Sequence, residues 1–188
     1  MKSGVRALGV AESYREERSI LGGAVVKATG VVDGFAFETC TVGGLDATAA
    51  VESLYSSLDR EDVRYVFVAG IAPAWFNVLD LHSIHEATDR PVLSISFEES
   101  PGLEAPLREA FDGAALDRRL ERYRAQPERE RITVNDQQRF VRSVGLDAPT
   151  EKVVAAFTLA GGRPEPVRVA RLAARGADRL LETAETGP

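Results

Sequence analysis

Three strand-like stretches follow one another directly in the first 42 residues of the chain. They are Val5–Ala11, Ser19–Ala28 and Val31–Val42, and only short polar or glycine-containing connections separate them. Strands joined by such short connections pair antiparallel, because a parallel pair needs a longer crossover. The amino-terminal part of the chain therefore predicts an antiparallel meander.

After the meander, helices and strands alternate. Asp46–Leu58 and Trp75–Thr88 have the apolar spacing of amphipathic helices, and Val63–Ala69 and Val92–Phe97 are short apolar strands. A strand that follows a crossover helix lies parallel to a neighbour. The order β-β-β-α-β-α-β is that of the ribonuclease H-like fold, an α/β fold with a mixed five-stranded sheet and flanking helices. We expect a central first strand, a parallel fourth strand beside it, and a site at their shared end.

The remainder of the chain predicts a helical extension of the same domain. It contains a charged helix at Leu116–Arg124, strand candidates at Ile132–Asn135 and Phe140–Val144, and helices at Thr150–Leu159 and Val167–Glu182. A chain of 188 residues is long enough for one well-buried core and short for two. We therefore expect residues 1–188 to form one domain, with a core at about 5–112 and a C-terminal extension at about 113–184.

Composition limits the kinds of partner. The formal net charge is -6, from 29 acidic and 23 basic residues. A chain with this charge binds nucleic acid only through a local basic stripe, since phosphate binding depends on lysine and arginine. No apolar run is long enough to span a membrane, so we expect a cytoplasmic protein with no membrane partner. The single cysteine, Cys40, cannot form an internal disulfide.

Six blocks of sequence, in the same order, resemble the archaeal endonuclease dU family, which is regarded as endonuclease V-like. The blocks are Gly9–Ser13, Val32–Phe35, Thr41–Thr48, Trp75–Asp80, Phe97–Ser100 and Pro164–Ala170. The resemblance runs from about Val5 to about Ala174. It implies a single endonuclease V-like domain that acts in DNA repair. It further implies cleavage of DNA at deoxyuridine, the product of cytosine deamination, with Mg²⁺ or Mn²⁺ as cofactor.

Four carboxylates are candidates for this chemistry. Nucleases on this fold usually hold Mg²⁺ with acids on the first strand, at the first helix and after the fourth strand, because hard cations prefer carboxylate oxygen. Glu12 follows the first strand and Asp46 opens the first helix, but the fourth strand ends at Ala69 without an acid. Glu98, after the fifth strand, and Asp80, on the second helix, are the nearest replacements. We predict that Glu12, Asp46 and Glu98 are catalytic. We predict that Glu12, Asp46 and Asp80 bind the metal.

Three of these acids also have a structural interpretation. Glu12 fits a solvated turn beside neighbouring arginines. Asp46 fits a helix N-cap, a role typically worth ~1 kcal/mol. Glu98 precedes a helix whose dipole it would complement.

A further set of residues is predicted to bind DNA. Gly43 and Gly44 precede the first helix, where free backbone N–H groups bind phosphate. Trp75 and Phe76 fit either a stack on a flipped base or the core, and Asn77 fits a base-edge contact or a helix cap. Arginines at helical spacing on the last helix fit a track along the DNA backbone or a solvated face. The whole set is Ser13, Tyr14, Gly43, Gly44, Trp75, Phe76, Asn77, Arg168 and Arg171.

Three functions follow from these readings. The first is a metal-dependent endodeoxyribonuclease whose partner is DNA containing deaminated bases. The second is a non-catalytic nucleic-acid or nucleotide-binding module on the same fold, which the missing acid of the fourth strand favours. The third is a small-molecule or protein interaction domain.

Overall fold

A mixed sheet of seven strands organises residues 3–186, the part of the chain that the computed structural model describes. The strands are β1 (Arg6–Arg15), β2 (Arg18–Lys27), β3 (Val32–Thr41), β4 (Val63–Ala69), β5 (Val92–Ser96), β6 (Glu130–Val134) and β7 (Gln137–Val144). The helices are α1 (Ala47–Leu58), α2 (Pro73–Phe76), α3 (Leu81–Thr88), α4 (Glu104–Ala110), α5 (Gly113–Arg124), α6 (Thr150–Ala156) and α7 (Glu165–Thr186).

The sheet has the order β3-β2-β1-β4-β5-β7-β6. β1, β2 and β3 form the predicted antiparallel meander, and β1 pairs in parallel with β4. β4 in turn pairs in parallel with β5, so the carboxyl ends of these three parallel strands meet at one edge. The predicted α/β fold with a mixed sheet is confirmed, and β1 lies inside the sheet between β2 and β4, while β4 is the middle strand.

The predicted number of five strands is wrong, because a hairpin extends the sheet. β6 and β7 are joined by Asn135 and Asp136, whose φ angles of 50° and 58° are those of a two-residue hairpin turn. β7 pairs antiparallel with β5, from Val92 opposite Val144 to Ser96 opposite Phe140. The hairpin therefore covers the edge of β5 that a five-stranded sheet would leave open.

Helices pack on both faces of the sheet. Alternate side chains of β1 point to opposite faces, so Leu8 and Val10 join the core formed with α1, whereas Ala7 joins the core formed with α6 and α7. In residues 3–186 we find no helix with the length and hydrophobicity that crossing a bilayer requires.

α7 lies so close to β1 and β2 that the strands need glycine. A Cβ atom on Gly22 would stand 2.7 Å from both the Ala170 carbonyl oxygen and the Ala174 nitrogen. A Cβ atom on Gly9 would overlap the backbone of Pro166. This close packing fixes the position of α7, and of the side chains that it carries, relative to the end of β1.

Two predicted boundaries are corrected. β1 continues to Arg15 and turns directly into β2, so Glu12 lies within a strand and not in a turn. The predicted helix Trp75–Thr88 begins only at Leu81, as α3, and the short α2 before it has a left-handed backbone. Ala74, Trp75 and Phe76 all have positive φ, and Asp80 caps α3 by accepting hydrogen bonds from His82 and Ser83.

Candidate active site

Glu12 lies where the sheet opens. The pairing of β1 with β4 ends at Val10 opposite Val68, whereas β1 itself continues alongside β2. Glu12, two residues further along, therefore lies on the β1 side of a gap at the carboxyl ends of β4 and β5. In open sheets with parallel strands, ligands bind at this edge.

The carboxylate of Glu12 is half-buried and held in place. It accepts a hydrogen bond from the Ala74 backbone N–H and one from the Ser19 hydroxyl, at 3.1 Å. Burial raises the pKa of Glu12, and the two hydrogen bonds and the charge of Arg171 only partly offset this effect. A carboxyl with a raised pKa at such an edge has the properties of a proton-transfer group.

Asp46 stands before α1 but does not cap it. Its carboxylate accepts hydrogen bonds from the Thr41 backbone N–H and hydroxyl, at 3.1 and 2.8 Å, and from the Asn77 amide, at 2.6 Å. Burial acts to raise the pKa of Asp46, but the hydrogen bonds from Asn77 and Thr41 outweigh it and lower the pKa. Asp46 is therefore a stable anion.

Asn77, and not Asp46, caps the N-terminus of α1. Its side-chain oxygen accepts a hydrogen bond from the Ala47 N–H at 3.0 Å, and its amide donates to the Thr41 carbonyl and to Asp46. The side chain is fully buried. The prediction that Asn77 contacts a base is wrong, because both ends of its amide are used inside the protein.

The backbone of α2 connects the two acids. Ala74 donates to Glu12 and accepts from the Gly43 N–H, while Asn77 holds Asp46. Ala74, Trp75 and Phe76 have φ of 48°, 53° and 63°, a left-handed region that costs non-glycine residues on the order of 1–3 kcal/mol each. Strain of this kind is typically concentrated at functional sites.

Cys40 shows that the two acids are neighbours. The thiol is buried, and burial, with the charges of Asp46 and Glu12, raises its pKa to about 12. Both carboxylates therefore act on the same thiol from nearby. That Glu12 and Asp46 face each other across one site stays a prediction.

The side chains do not form the predicted metal site. Among residues 3–186, no three Asp, Glu, His or Cys side chains come close enough together to hold one ion. Asp80 is the cap of α3, with its carboxylate 3.0 and 3.2 Å from two backbone nitrogens of that helix. Glu98 is exposed on the wall of a cavity beyond β5. The predicted set of Glu12, Asp46 and Asp80 does not fit a preformed Mg²⁺ or Mn²⁺ site.

Trp75 is presented at the surface by an aromatic cluster. Its ring contacts those of Phe76 and Phe111, with centroids 5.8 and 5.1 Å away, yet 49% of Trp75 remains exposed. The ring also covers Gly43, where a Cβ atom would come within 2.8 Å of it. Phe76 is packed inside this cluster and partly buried, so of the two aromatic residues Trp75 is the one offered to a ligand.

Arg119 supports this arrangement from beneath. Its buried guanidinium lies 3.9 Å from the Phe111 ring centroid and donates hydrogen bonds to the carbonyls of Phe76, Gly43 and Gly44. Burial and the neighbouring Arg118 and Arg122 lower the pKa of Arg119. The arginine is a structural clamp between α5 and the glycine turn.

A cavity of about 410 Å³ opens at the carboxyl ends of β4 and β5. Four arginines line it, against one acid, Glu98, so the cavity is suited to an anion. They are Arg129, Arg142, Arg163 and Arg171. Arg171 lines the cavity and its charge acts to lower the pKa of Glu12, which itself does not line the cavity.

Several predicted DNA contacts are corrected by their hydrogen bonds. The N–H groups of Gly43 and Gly44 donate to the carbonyls of Ala74 and Thr41, so the prediction of a phosphate-binding turn is wrong. The Ser13 hydroxyl donates to Asp178 on α7, at 2.9 Å, on the face opposite Glu12. A phosphate contact by Ser13 is therefore also wrong.

The two remaining residues predicted to contact DNA are Tyr14 and Arg168, and only Tyr14 lies near Glu12. Tyr14 is exposed, two residues beyond Glu12 on the same face of β1. Arg168 is exposed but pairs with Glu165 at 2.7 Å, away from the cavity that Arg171 lines.

The sequence reasoning missed Arg119 and three of the cavity arginines. Arg119 could have been found, since it falls on the apolar stripe of α5 with Leu116, Leu120 and Tyr123, where a solvated cation is out of place. The arginines at positions 129, 142 and 163 lie on separate elements, and no local spacing brings them together.

Comparison with known proteins identifies related sequences and structures of the same fold. The profile of a family described as endonuclease dU matches residues 3–177. A UPF0215 protein of Pyrobaculum calidifontis is 31% identical over 93% of this chain and 97% of its own. One of Methanopyrus kandleri is 32% identical, over 94% and 92%.

Solved structures show the same fold. A protein of unknown function from Archaeoglobus fulgidus superposes with a TM-score of 0.80 at 26% identity, over 92% of this chain and 97% of its own. Endonuclease V of Ciona intestinalis, bound to a 24mer DNA containing inosine, gives 0.55 at 12% identity, over 94% and 86%. Argonaute of A. aeolicus gives 0.54 at 10% identity, over 93% of this chain and 29% of its own. At these identities the last two likenesses concern the fold alone.

Proposed function

This chain belongs to the endonuclease dU family, and on that premise we propose that it is an endonuclease that cleaves DNA at deaminated bases, deoxyuridine above all. One observation carries the proposal. Glu12, a carboxylate whose pKa burial raises, and an arginine-lined cavity both lie at the carboxyl edge of the sheet, and Arg171 of that cavity acts on Glu12 through its charge.

The chemistry requires a base for water and a positive site for phosphate. In its ionised form Glu12 takes a proton from the attacking water, and a raised pKa makes it a stronger base than an ordinary carboxylate. The cavity arginines bind the phosphate and stabilise the charge that develops on its oxygens. Arg171 lines the cavity and also interacts electrostatically with Glu12.

Trp75 provides the contact with the base. A lesion-specific nuclease must take its base out of the stack, and an exposed aromatic ring stabilises such a base. Stacking of this kind is worth ~1–3 kcal/mol. Trp75 is half exposed on the segment that holds Glu12, so a base stacked on it is close to the acid.

We assign no step of this reaction to Mg²⁺ or Mn²⁺, because residues 3–186 offer no set of three ligands. The same observation favours a second function, a nucleic-acid-binding module without cleavage. Such a module would use the arginines and Trp75 as described but would leave the phosphodiester intact.

The test is cleavage of an end-labelled duplex with one deoxyuridine, against the same duplex with thymidine, in Mg²⁺, in Mn²⁺ and in EDTA. We expect cleavage at the deoxyuridine, lost at least 100-fold in Glu12→Gln and kept in Glu16→Gln, an exposed acid of the same hairpin. Trp75→Ala should weaken the preference for deoxyuridine. Binding with no cleavage under any of the three conditions would support the module and refute the nuclease.

A further inference from the structure

β3 forms an outer edge of the sheet, and its exposed side is apolar. In the described part of the chain it pairs with β2 alone. Phe35 and Phe37 stack on each other, with centroids 6.5 Å apart, and remain 51% and 48% exposed. The strand has ten residues with neither proline nor lysine, two of the devices that protect an edge, and its one register shift against β2 lies at Asp33, before the two phenylalanines. Such an edge is a template for a further strand.

A groove runs along this edge. Phe35 and Phe37 form one wall, α7 forms the other, and the space between them is about 500 Å³. The α7 wall consists of Ala173, Gly176, Ala177, Leu180 and Leu181. Side chains already bond the N–H groups of Thr39 and Thr41 and the carbonyl of Asp33. The part of the edge left for a partner strand is therefore the stretch around Phe35 and Phe37, beside the apolar wall of α7.

We propose that this surface is a dimer interface, in which β3 pairs antiparallel with β3 of a second copy of the chain. A two-fold axis perpendicular to the sheet places the same face of both copies on the same side of the joined sheet. Residues that lie opposite each other must therefore both be odd-numbered or both be even-numbered. This condition leaves a small set of registers.

One register gives favourable side-chain contacts on both faces of the sheet. With Ala36 on the axis, Phe35 lies opposite Phe37 of the second copy, and both aromatic pairs are covered. On the other face, Glu38 lies opposite Gly34 of the second copy. Arg60 extends beside Gly34, with Nη1 3.8 Å from the place of a Cβ atom there. Arg60 also pairs with Asp33 and Asp62 of its own chain, and Arg6 and Lys27 share Asp33. Three cations thus stand against two acids there, and Glu38 of the second copy meets this positive cluster across the axis.

Neighbouring registers lose these contacts. With the axis at Phe35, Phe37 lies opposite Asp33 and Glu38 lies opposite Val32. With the axis at Glu38, two identical carboxylates oppose each other, which is destabilising. With the axis at Phe37, Phe35 lies opposite Thr39 and Glu38 lies opposite Ala36, so only one aromatic pair forms and Glu38 meets no arginine. The aromatic pairs and the charges together therefore favour the register centred on Ala36.

The experiment is the mass of the full chain in solution, measured by light scattering across a range of micromolar concentrations. We expect a dimer that Phe37→Lys weakens about tenfold or more. The matched control is Leu172→Lys, another exposed apolar residue, on α7 but outside the groove. This variant should stay dimeric.

Cross-linking tests the register. Opposed Cβ atoms lie ~4.5–5.5 Å apart, so Phe35→Cys mixed with Phe37→Cys should form a disulfide faster than either variant alone. Cys40 is buried, and burial raises its pKa to about 12, so it stays out of the reaction. A monomeric wild-type protein, a dimer insensitive to Phe37→Lys, or faster linkage of Phe35→Cys to itself would each overturn the proposal. So would a monomer with protected β3 amides, since another segment of the chain would then cover the edge.

Discussion

The contact between Gly22 and α7 gives the sharpest test of the structure. In Gly22→Ala the new Cβ atom would stand 2.7 Å from two backbone atoms of α7, whereas an ordinary contact begins at 3.4 Å. The helix must therefore move by about 0.7 Å, the difference between these distances. Overpacking of this kind costs ~1–3 kcal/mol. For a chain of this size, the corresponding fall in Tm is roughly 2–12 °C.

The same movement reaches the site. Arg171 follows Ala170 on α7, and Ala170 is one of the two residues that Gly22→Ala would displace. A shift of α7 changes the distance from Arg171 to Glu12 and the shape of the arginine-lined cavity. We therefore expect Gly22→Ala to lower both Tm and cleavage at temperatures where the protein is still folded.

Gly176→Ala is the matched control. This glycine lies on the same helix, and a Cβ atom there meets nothing within 4 Å. Alanine in place of glycine inside a helix is favourable by ~1 kcal/mol, so Tm should rise. Thermal unfolding followed by circular dichroism measures both variants. Equal Tm changes in the two variants would refute the close packing of α7 against β2.

Three further predictions concern charge. Because Glu12 has a raised pKa in the folded protein, its contribution to stability falls as pH rises from the ordinary value of 4.5 towards that raised pKa. Glu12→Gln should then unfold at a higher temperature than wild type at pH 7, with the gap closing below about pH 4.5. Arg171→Gln should lower the salt dependence of DNA binding by about one unit of log–log slope, whereas the ion-paired, cavity-remote Arg168→Gln should not. Arg119→Lys should lower the free energy of unfolding by ~1–3 kcal/mol, measured in urea, because fewer donors then serve its four backbone carbonyls.

The topology could be predicted from the sequence because its determinants are local. The short connections between β1, β2 and β3 allow antiparallel pairing alone, and α1 before β4 requires a crossover. The position of the β6–β7 hairpin in the sheet could not be predicted in this way. It depends on which exposed edge the hairpin covers, and the answer, β5, is a pairing between distant parts of the chain.

The same division applies to the site. The proximity of Glu12 and Asp46 follows from the element order, which puts the end of β1 near the start of α1. The choice of hydrogen-bond partners within the site does not follow from the element order. Asn77 reaches 30 residues back to cap α1, and so leaves Asp46 free to accept from Thr41. The glycine turn has the sequence of a phosphate site, but the Ala74 carbonyl takes the Gly43 N–H.

The left-handed backbone of α2 gives Glu12 a second role, which substitution can separate from the first. The Glu12 carboxylate accepts the Ala74 N–H and so helps to hold Ala74, Trp75 and Phe76 in their strained conformation. Glutamine keeps an acceptor for that N–H but cannot take a proton from water, whereas alanine loses both functions. Trp75 is the single tryptophan of the chain, so its fluorescence reports on α2 directly.

We therefore expect Glu12→Gln to lose cleavage with the wild-type emission spectrum. Glu12→Ala should lose cleavage with a red-shifted spectrum, because Trp75 leaves its contacts with Phe76 and Phe111. If alanine left the emission unchanged, the hydrogen bond to Ala74 would not be what holds α2. Glu12 would then act in the chemistry alone, and the restraint on the strained residues would rest with Arg119, through the Phe76 carbonyl.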